Sequence, residues 1–235
     1  MMLFGSPLAR LKKRCEKALK DPAISEDLKP FYERPLPNPN DLIKDLKLTS
    51  IDFETTGLNF KEDVVLSMGG ISFDNGAIDF ATSFHQLLNV DPKKIKSNAA
   101  IINQITPEQL VNGMPPHQAF MKLMDKLSGG LVLTHCKVIE STFLRKSLGI
   151  PDKYPLPMVF LDTMAIEKSI LTHQGNFKLE NVRLNKIRER RGFPAYEAHN
   201  ALADSLATAE VFLAQLHDIF GKKPYVLKDV YKRCE

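Results

Sequence analysis

Between Leu48 and Val90 apolar residues alternate with polar ones or run in short unbroken stretches, a strand pattern rather than a helical one. Three runs stand out: Leu48 to Glu54, Val64 to Phe73, and Ile78 to Val90, separated by Gly57-Leu58-Asn59 and Asp74-Asn75-Gly76. Asn75-Gly76 between two β-rich runs is a strong hairpin signal, so three antiparallel strands are predicted. A helical pattern follows near Pro116 to Leu127, then a short apolar strand, Leu131 to Thr134, and a helix near Val138 to Leu148 that Gly149 and Pro151 stop. Residues 162 to 172 and 179 to 190 also read as helical, and a last helix runs from about Asn200 to Phe220. This order predicts an α/β fold: a mixed β-sheet, its first three strands antiparallel, flanked by helices.

Upstream, Leu8, Leu11, Cys15 and Leu19 recur at steps of three and four, which gives a basic helix over residues 7 to 20 one narrow apolar face. The stretch from Lys29-Pro30 through Pro35, Pro37 and Pro39 reads as an extended linker. The chain thus divides into an N-terminal basic helix and proline-rich linker (1–45), one main α/β domain (46–220) and a short basic C-terminal tail (221–235). A length of 235 residues suits one such domain with an appendage, and 43% hydrophobic residues are too many for a disordered chain.

Charge and cysteine change the picture modestly. The formal net charge of +4 is too small to hold a polyanion by overall field. Its distribution is more informative: six basic residues against Glu16 in residues 1–20, and six against Glu180 and Glu189 in residues 178–191. Both clusters are candidate phosphate contacts, with solvated helix faces as the plainer alternative. Cys15, Cys136 and Cys234 are odd in number and far apart, which argues against a disulfide framework or a zinc site. No signal peptide or membrane span is legible, so a cytoplasmic location and no membrane partner are expected.

The candidate chemistry begins at Asp52-Phe53-Glu54. Side chains two apart on a strand share a face, so both carboxylates converge while Phe53 turns away. Carboxylates so close repel each other unless a cation or a shared proton neutralises them, and oxygen donors favour Mg²⁺ or Mn²⁺ over zinc. Exposed edge charges are the competing reading. Thr55-Thr56-Gly57-Leu58 then forms a turn able to approach a ligand. Far downstream, Asn200 is a candidate N-cap, with His199 before the helix and Asp204 in its first turns. Against a role for Asp204 stands its position roughly opposite a stripe of Leu202, Leu206, Ala209, Leu213, Leu216 and Phe220. For it stands the small and apolar character of its own face, with Ala203, Ala207 and Val211, which would let the helix approach a sheet closely.

These residues resemble the DEDD exonucleases of the His-containing branch, whose fold is ribonuclease H-like; the proofreading epsilon subunits of bacterial replicative polymerases are the members they most resemble. Asp52-Phe53-Glu54-Thr55-Thr56-Gly57 looks like the first motif and His199 with Asp204 like the third, the likeness covering roughly Leu46 to Phe220. The second motif is similar to Thr134-His135-Cys136 through Leu144, with Glu140 where the family has Asp. What the resemblance implies is 3′-to-5′ hydrolysis at nucleic-acid 3′ ends, with single-stranded DNA as the expected substrate and nucleoside 5′-monophosphates as products. It implies two Mg²⁺ or Mn²⁺ ions held by Asp52, Glu54, Glu140 and Asp204, with His199 as general base and Thr55 and Leu58 at the terminal nucleotide. It further suggests that Asp162-Thr163 caps a helix supporting the site. His135 reads more simply as a hydrogen-bonded, partly buried histidine. The rivals are a non-catalytic nucleic-acid or partner-binding module on the same fold and an RNA-trimming exonuclease. A stable polymerase subunit is weakened by how little follows Phe220, although the N-terminal helix is a candidate attachment for a protein partner.

Overall fold

The computed structural model describes residues 6–91, 105–175 and 177–234. Met1 to Gly5 and Glu235, the outer ends of the two flanking segments, lie outside them. In chain order the elements are α1 (Pro7–Leu19), α2 (Lys29–Glu33), β1 (Leu48–Thr55), β2 (Val65–Asp74), β3 (Ala77–Leu87), α3 (Pro107–Val111), α4 (Pro116–Leu127) and β4 (Leu131–Thr134). They continue with α5 (Lys137–Ser147), β5 (Val159–Asp162), α6 (Thr163–His173), α7 (Leu184–Arg190), α8 (Ala201–Phe220) and α9 (Leu227–Tyr231). The strands form one sheet in the order β3-β2-β1-β4-β5, antiparallel on the β3-β2-β1 side and parallel from β1 through β4 to β5. The predicted mixed sheet is therefore present. Its hairpin turns on Asn75 and Gly76, both at positive φ, the backbone that matches the twist of two paired strands.

Each face of the sheet buries its own core. Ile51 and Phe53 point to a layer built by α4 and α5, where Phe53 meets Phe120 edge-on at 6.0 Å between ring centres. Leu48, Leu131, Leu133, Val159 and Leu161 pack against Ile166, Phe212 and Leu216 of α6 and α8 on the opposite face. Asp52 and Glu54 alternate with Ile51 and Phe53, so they face α8.

Several expectations need correction. The proline-rich stretch is not simply an extended linker: Pro30 opens α2, a position where its missing N–H costs nothing, and Phe31 and Tyr32 are buried. Tyr32 donates to the Pro155 carbonyl at 2.8 Å and Cys15 of α1 is buried beside Leu156. The apolar side of α1, with Leu8, Cys15 and Ala18, is thus covered by the chain itself, and a protein partner reached through α1 would have to use its polar, basic side. Likewise residues beyond Phe220 are not a loose tail. Leu227 and Lys228 donate backbone bonds to Asp41 and Pro39, and Leu227 and Val230 enter the core. Beyond α2 and α9, two further elements were not anticipated, α3 with its Thr106–Gln109 capping box and the four-residue strand β5; the segment 179 to 190 breaks at Arg183, whose backbone is extended.

The apolar stripe read on the last helix also shifts. The face that α8 buries carries Ala201, Ser205, Thr208, Phe212 and Gln215, whereas Leu202, Leu206 and Leu213 are only half-buried. Two of these polar residues are bonded: Ser205 Oγ donates to the Leu202 carbonyl, and Gln215 Nε2 donates to the Thr163 carbonyl and the Glu167 carboxylate, whereas Thr208 Oγ1 is buried without a partner. Small side chains let α8 sit close to the sheet. Ser50 Oγ reaches the Ser205 carbonyl at 2.7 Å.

The closest approach is at Gly69, which pairs with Asp52 across the β1–β2 ladder. A Cβ at this position would lie 2.3 Å from the backbone of Ala201 and of Leu202, a distance no pair of carbon or nitrogen atoms tolerates without movement. Gly69→Ala should therefore push the first turn of α8 off the sheet and cost about 1–3 kcal/mol. Urea denaturation measures it; a loss below about 0.5 kcal/mol, the range of an ordinary surface change, would mean that the contact is not a constraint.

Candidate active site

Close contact at Gly69 brings the start of α8 to the end of β1. Asp52, Glu54 and Asp204 each offer a carboxylate oxygen within 4.8 Å of the others. Glu54 is buried and the other two are half-buried. Burial, with the Asp204 charge adding to it, pushes the Glu54 carboxyl up to about 7. Asp52 is held well above the usual carboxylate range by burial first, then by Glu140, Asp204 and Glu54.

Glu140 completes the group from the first turn of α5. It lies outside the three-oxygen cluster but faces Asp52 closely enough to raise it. Only 2% of its surface is exposed, burial raises its own pKa, and its Oε2 is buried with no hydrogen-bond partner. The segment that delivers it is anchored by Asp162. That carboxylate accepts from the N–H groups of Cys136 and Lys137 at 3.0 Å each, and also from Met164 at 2.9 Å, so one side chain caps both α5 and α6. His135 is bonded to Thr163 Oγ1 at 2.8 Å, and burial pushes it down to about 4, which makes it a neutral support.

Asp204 is fixed as firmly. Asn200 caps α8 through the N–H groups of Leu202 and Ala203, leaving His199 just outside the helix in a left-handed conformation (φ 65°). The His199 N–H then donates to Asp204 Oδ2 at 2.8 Å, and that of Asn200 at 3.2 Å. The His199 side chain is exposed and lines, with Glu54, Ser67, His85 and Asn200, a cleft of about 290 Å³. On the loop after β1, Thr55 Oγ1 donates to the Gly57 carbonyl, and Leu58 stands 63% exposed. Buried Asp63 braces that loop, accepting from Thr56 Oγ1 and the Asn59 N–H at 2.8 Å each. At Gly57 any Cβ would strike Asp63 Oδ2 at 2.5 Å.

Two features escaped the sequence. Tyr196 donates its hydroxyl to Asp204 Oδ1 at 2.6 Å; no periodicity or motif marks a residue eight positions ahead of Asp204 in an irregular loop. The second is the fate of the basic run at 178–191, much of which is committed internally. Arg188 pairs with Glu210 at 2.5 Å, Arg190 and Arg191 both bind buried Glu167 at 2.6 and 2.9 Å, and Lys186 pairs with Glu189. The three arginine pairs tie α6, α7 and α8 together rather than offering ready phosphate contacts, and the Lys186 pair lies within α7.

A group of carboxylates that repel one another, one with an orphaned buried oxygen and no sulfur or imidazole donor among them, fits a hard divalent cation. A ribonuclease H-like mixed sheet carrying such a site on its central strand defines the class as a nuclease fold. The family model whose description is exonuclease (RNase_T) matches residues 49–212, and the chain belongs to that family. It is 28% identical over 173 residues to DNA polymerase III PolC-type of Thermotoga maritima, covering 72% of this chain and 12% of that protein. With DNA polymerase III subunit epsilon of Treponema pallidum it shares 27% identity over 170 residues, covering 72% of this chain and 75% of the relative. Among solved structures, E. coli Exonuclease I in complex with a dA16 oligonucleotide superposes with a TM-score of 0.62 at 15% identity, over 74% of this chain and 41% of that one. The fold and the His-containing DEDD resemblance thus agree with these relatives.

The Glu54 pKa sets a stability test. Its folded value of about 7 exceeds the ordinary 4.5, so between those limits the native state keeps a proton that the unfolded chain has released. Stability of the metal-free protein should then fall as pH rises through that window, by on the order of 3 kcal/mol from this group. Urea titrations in chelator at pH 5 and pH 8 would show it, and Glu54→Gln should flatten the difference. A parent protein more stable at pH 8 than at pH 5 would contradict the proposed coupling.

Proposed function

We propose that the chain is a divalent-metal-dependent 3′-to-5′ exonuclease that hydrolyses the terminal phosphodiester bond of a DNA strand and releases nucleoside 5′-monophosphates. The observation that carries this reading is the convergence of Asp52, Glu54 and Asp204 from segments about 150 residues apart, with buried Glu140 beside Asp52. Family membership supports nuclease activity, and the printed names of the relatives, polymerase III proteins and a DNA-bound exonuclease, favour DNA. Single-stranded DNA is the substrate we assign.

Asp52, Glu54 and Asp204 would hold one Mg²⁺ or Mn²⁺ ion, and Asp52 with Glu140 a second. When bound, such a pair supplies charge neutralisation at the scissile phosphate and a more acidic water. The chain's own residues do the rest. His199, exposed at the cleft rim, accepts the proton of the attacking water and passes it to solvent. Its N–H bond to Asp204 ties the base to the acidic cluster. The Thr55 backbone and the exposed Leu58 side chain hold the terminal nucleotide, Leu58 resting on a base face so that apolar surface on both leaves water. The bracing of its loop by Asp63 makes that wedge rigid. Three free cysteines favour a reducing, cytoplasmic setting.

The test is release of mononucleotides from labelled single-stranded DNA and RNA with Mg²⁺ or Mn²⁺, against chelator. Parent protein should act only with metal and faster on DNA, shortening 3′ ends and leaving 5′ ends intact. Asp52→Ala should lower kcat/KM roughly 10³-fold, equivalent to about 4 kcal/mol. Metal-independent cleavage, or full activity in Asp52→Ala, would refute the reading. Glu140→Gln should also impair turnover while stabilising the metal-free chain by about 1 kcal/mol at pH 8, because burial disfavours the charged form of this acid and the amide carries no such penalty.

A further inference from the structure

Tyr196 reaches the acidic cluster without belonging to any of its motifs. Both oxygens of the Asp204 carboxylate are engaged: Oδ2 by the N–H groups of His199 and Asn200, and Oδ1 by the Tyr196 hydroxyl at 2.6 Å. The backbone donors belong to the same turn as Asp204 and fix it locally, whereas Tyr196 holds it from a separate loop. That loop is itself held. The Arg188 guanidinium lies between two rings, 4.7 Å from the centre of Tyr196 and 5.0 Å from that of Phe193. It also donates to the Pro194 carbonyl at 3.2 Å and pairs with Glu210 of α8 at 2.5 Å. A buried arginine therefore clamps the tyrosine ring to the same helix that carries Asp204, one turn and a half further along.

We propose that Tyr196 is a positioning residue for the metal site: its hydroxyl, held by the Arg188 clamp, fixes Asp204 in the rotamer that faces Asp52 and Glu54. This rests on the metal-dependent reading above. Without the hydroxyl, Asp204 keeps only the two bonds that its own turn makes to Oδ2, and nothing then holds Oδ1 in place beside Asp52 and Glu54. Partners of this kind behind a metal ligand are typically worth 10- to 100-fold in affinity or activity.

The experiment is Mn²⁺ titration of the full chain by electron paramagnetic resonance, with kcat and KM for a single-stranded oligonucleotide across Mn²⁺ concentrations. Tyr196→Phe keeps the ring and the Arg188 stack, so its melting temperature in chelator should stay within about 4 °C of the parent. Mn²⁺ affinity should fall about tenfold, kcat at fixed Mn²⁺ should fall with it, KM should hold, and roughly tenfold more Mn²⁺ should restore kcat. In an Asp204→Ala background the same substitution should add nothing, since the carboxylate it orients is gone. That cycle keeps the idea falsifiable even if Tyr196→Phe is less stable than expected. Parent-like affinity and kcat in Tyr196→Phe, or an equal loss with and without the Asp204 carboxylate, would overturn the inference alone. No Mn²⁺ uptake by the parent would overturn the metal-dependent reading together with it.

Discussion

The acidic site exists because a helix terminus is pressed against a strand. At Gly69 the backbone of α8 occupies the volume a side chain would fill, directly across the ladder from Asp52, and the contact sets how far Asp204 stands from β1. The contacts with the sheet that stabilise the approach are short-range and neutral: the Ser50 to Ser205 hydrogen bond, the small side chains facing the sheet, and Phe212 packed edge-on to Phe73 at 6.3 Å. What opposes it is electrostatic. Two unit charges 4.8 Å apart repel by on the order of 3 kcal/mol at an effective dielectric constant near 20, and the cluster contains several such pairs. A domain with a net stability of about 5–15 kcal/mol cannot absorb that from fully ionised carboxylates. The metal-free chain resolves it by keeping protons on the buried acids, and a bound cation would resolve it by replacing those protons with charge.

This balance explains how the surrounding arginines are used. Along the chain they look like a basic patch awaiting a polyanion, but in the fold they fasten α6, α7 and α8 to one another through Glu167 and Glu210. A helix that carries repelled charge at one end needs strong attachments elsewhere on its length, and the Arg191 tie to Asp218 and the Gln215 bond to Glu167 serve the far half of α8. Sequence charge counts cannot separate the two uses, because pairing depends on which helices become neighbours.

What was legible in the sequence is what depends on local geometry. A period of two put Asp52 and Glu54 on one face, Asn75-Gly76 specified a hairpin turn, and Asn200 specified a helix start, all within a few residues of chain. The third and second motifs were readable only through family resemblance, since nothing in spacing alone brings residue 204 to residue 52. On α8 the leucine stripe misled only in part: Ala209 and Leu216 are buried but Leu202, Leu206 and Leu213 only half so, while the small face of Ala207 and Val211, read as able to approach a sheet, is buried. Here close approach was the demand, and Ser205, Thr208 and Gln215 met it. The helix α2 was missed for a related reason: proline breaks a helix interior but is well placed at its start. Tyr196 and the core-bound ends of the chain depend on tertiary contacts with no local signature.

The departure at Glu140 follows from the same anchoring logic. The start of α5 cannot slide to suit a longer acid, because Asp162 holds two of its first N–H groups while also capping α6, and Cys136 ahead of it is locked in a left-handed conformation. With the backbone fixed, an extra methylene must be accommodated by side-chain torsions alone. The carboxylate consequently sits outside the tight group of Asp52, Glu54 and Asp204, yet still raises Asp52 and still buries an oxygen that no hydrogen bond satisfies. An uncompensated buried oxygen costs about 1–3 kcal/mol. Under the metal-dependent reading proposed above, a cation approached from the α5 side would give that oxygen the partner it lacks, whereas a purely structural platform gains nothing from it.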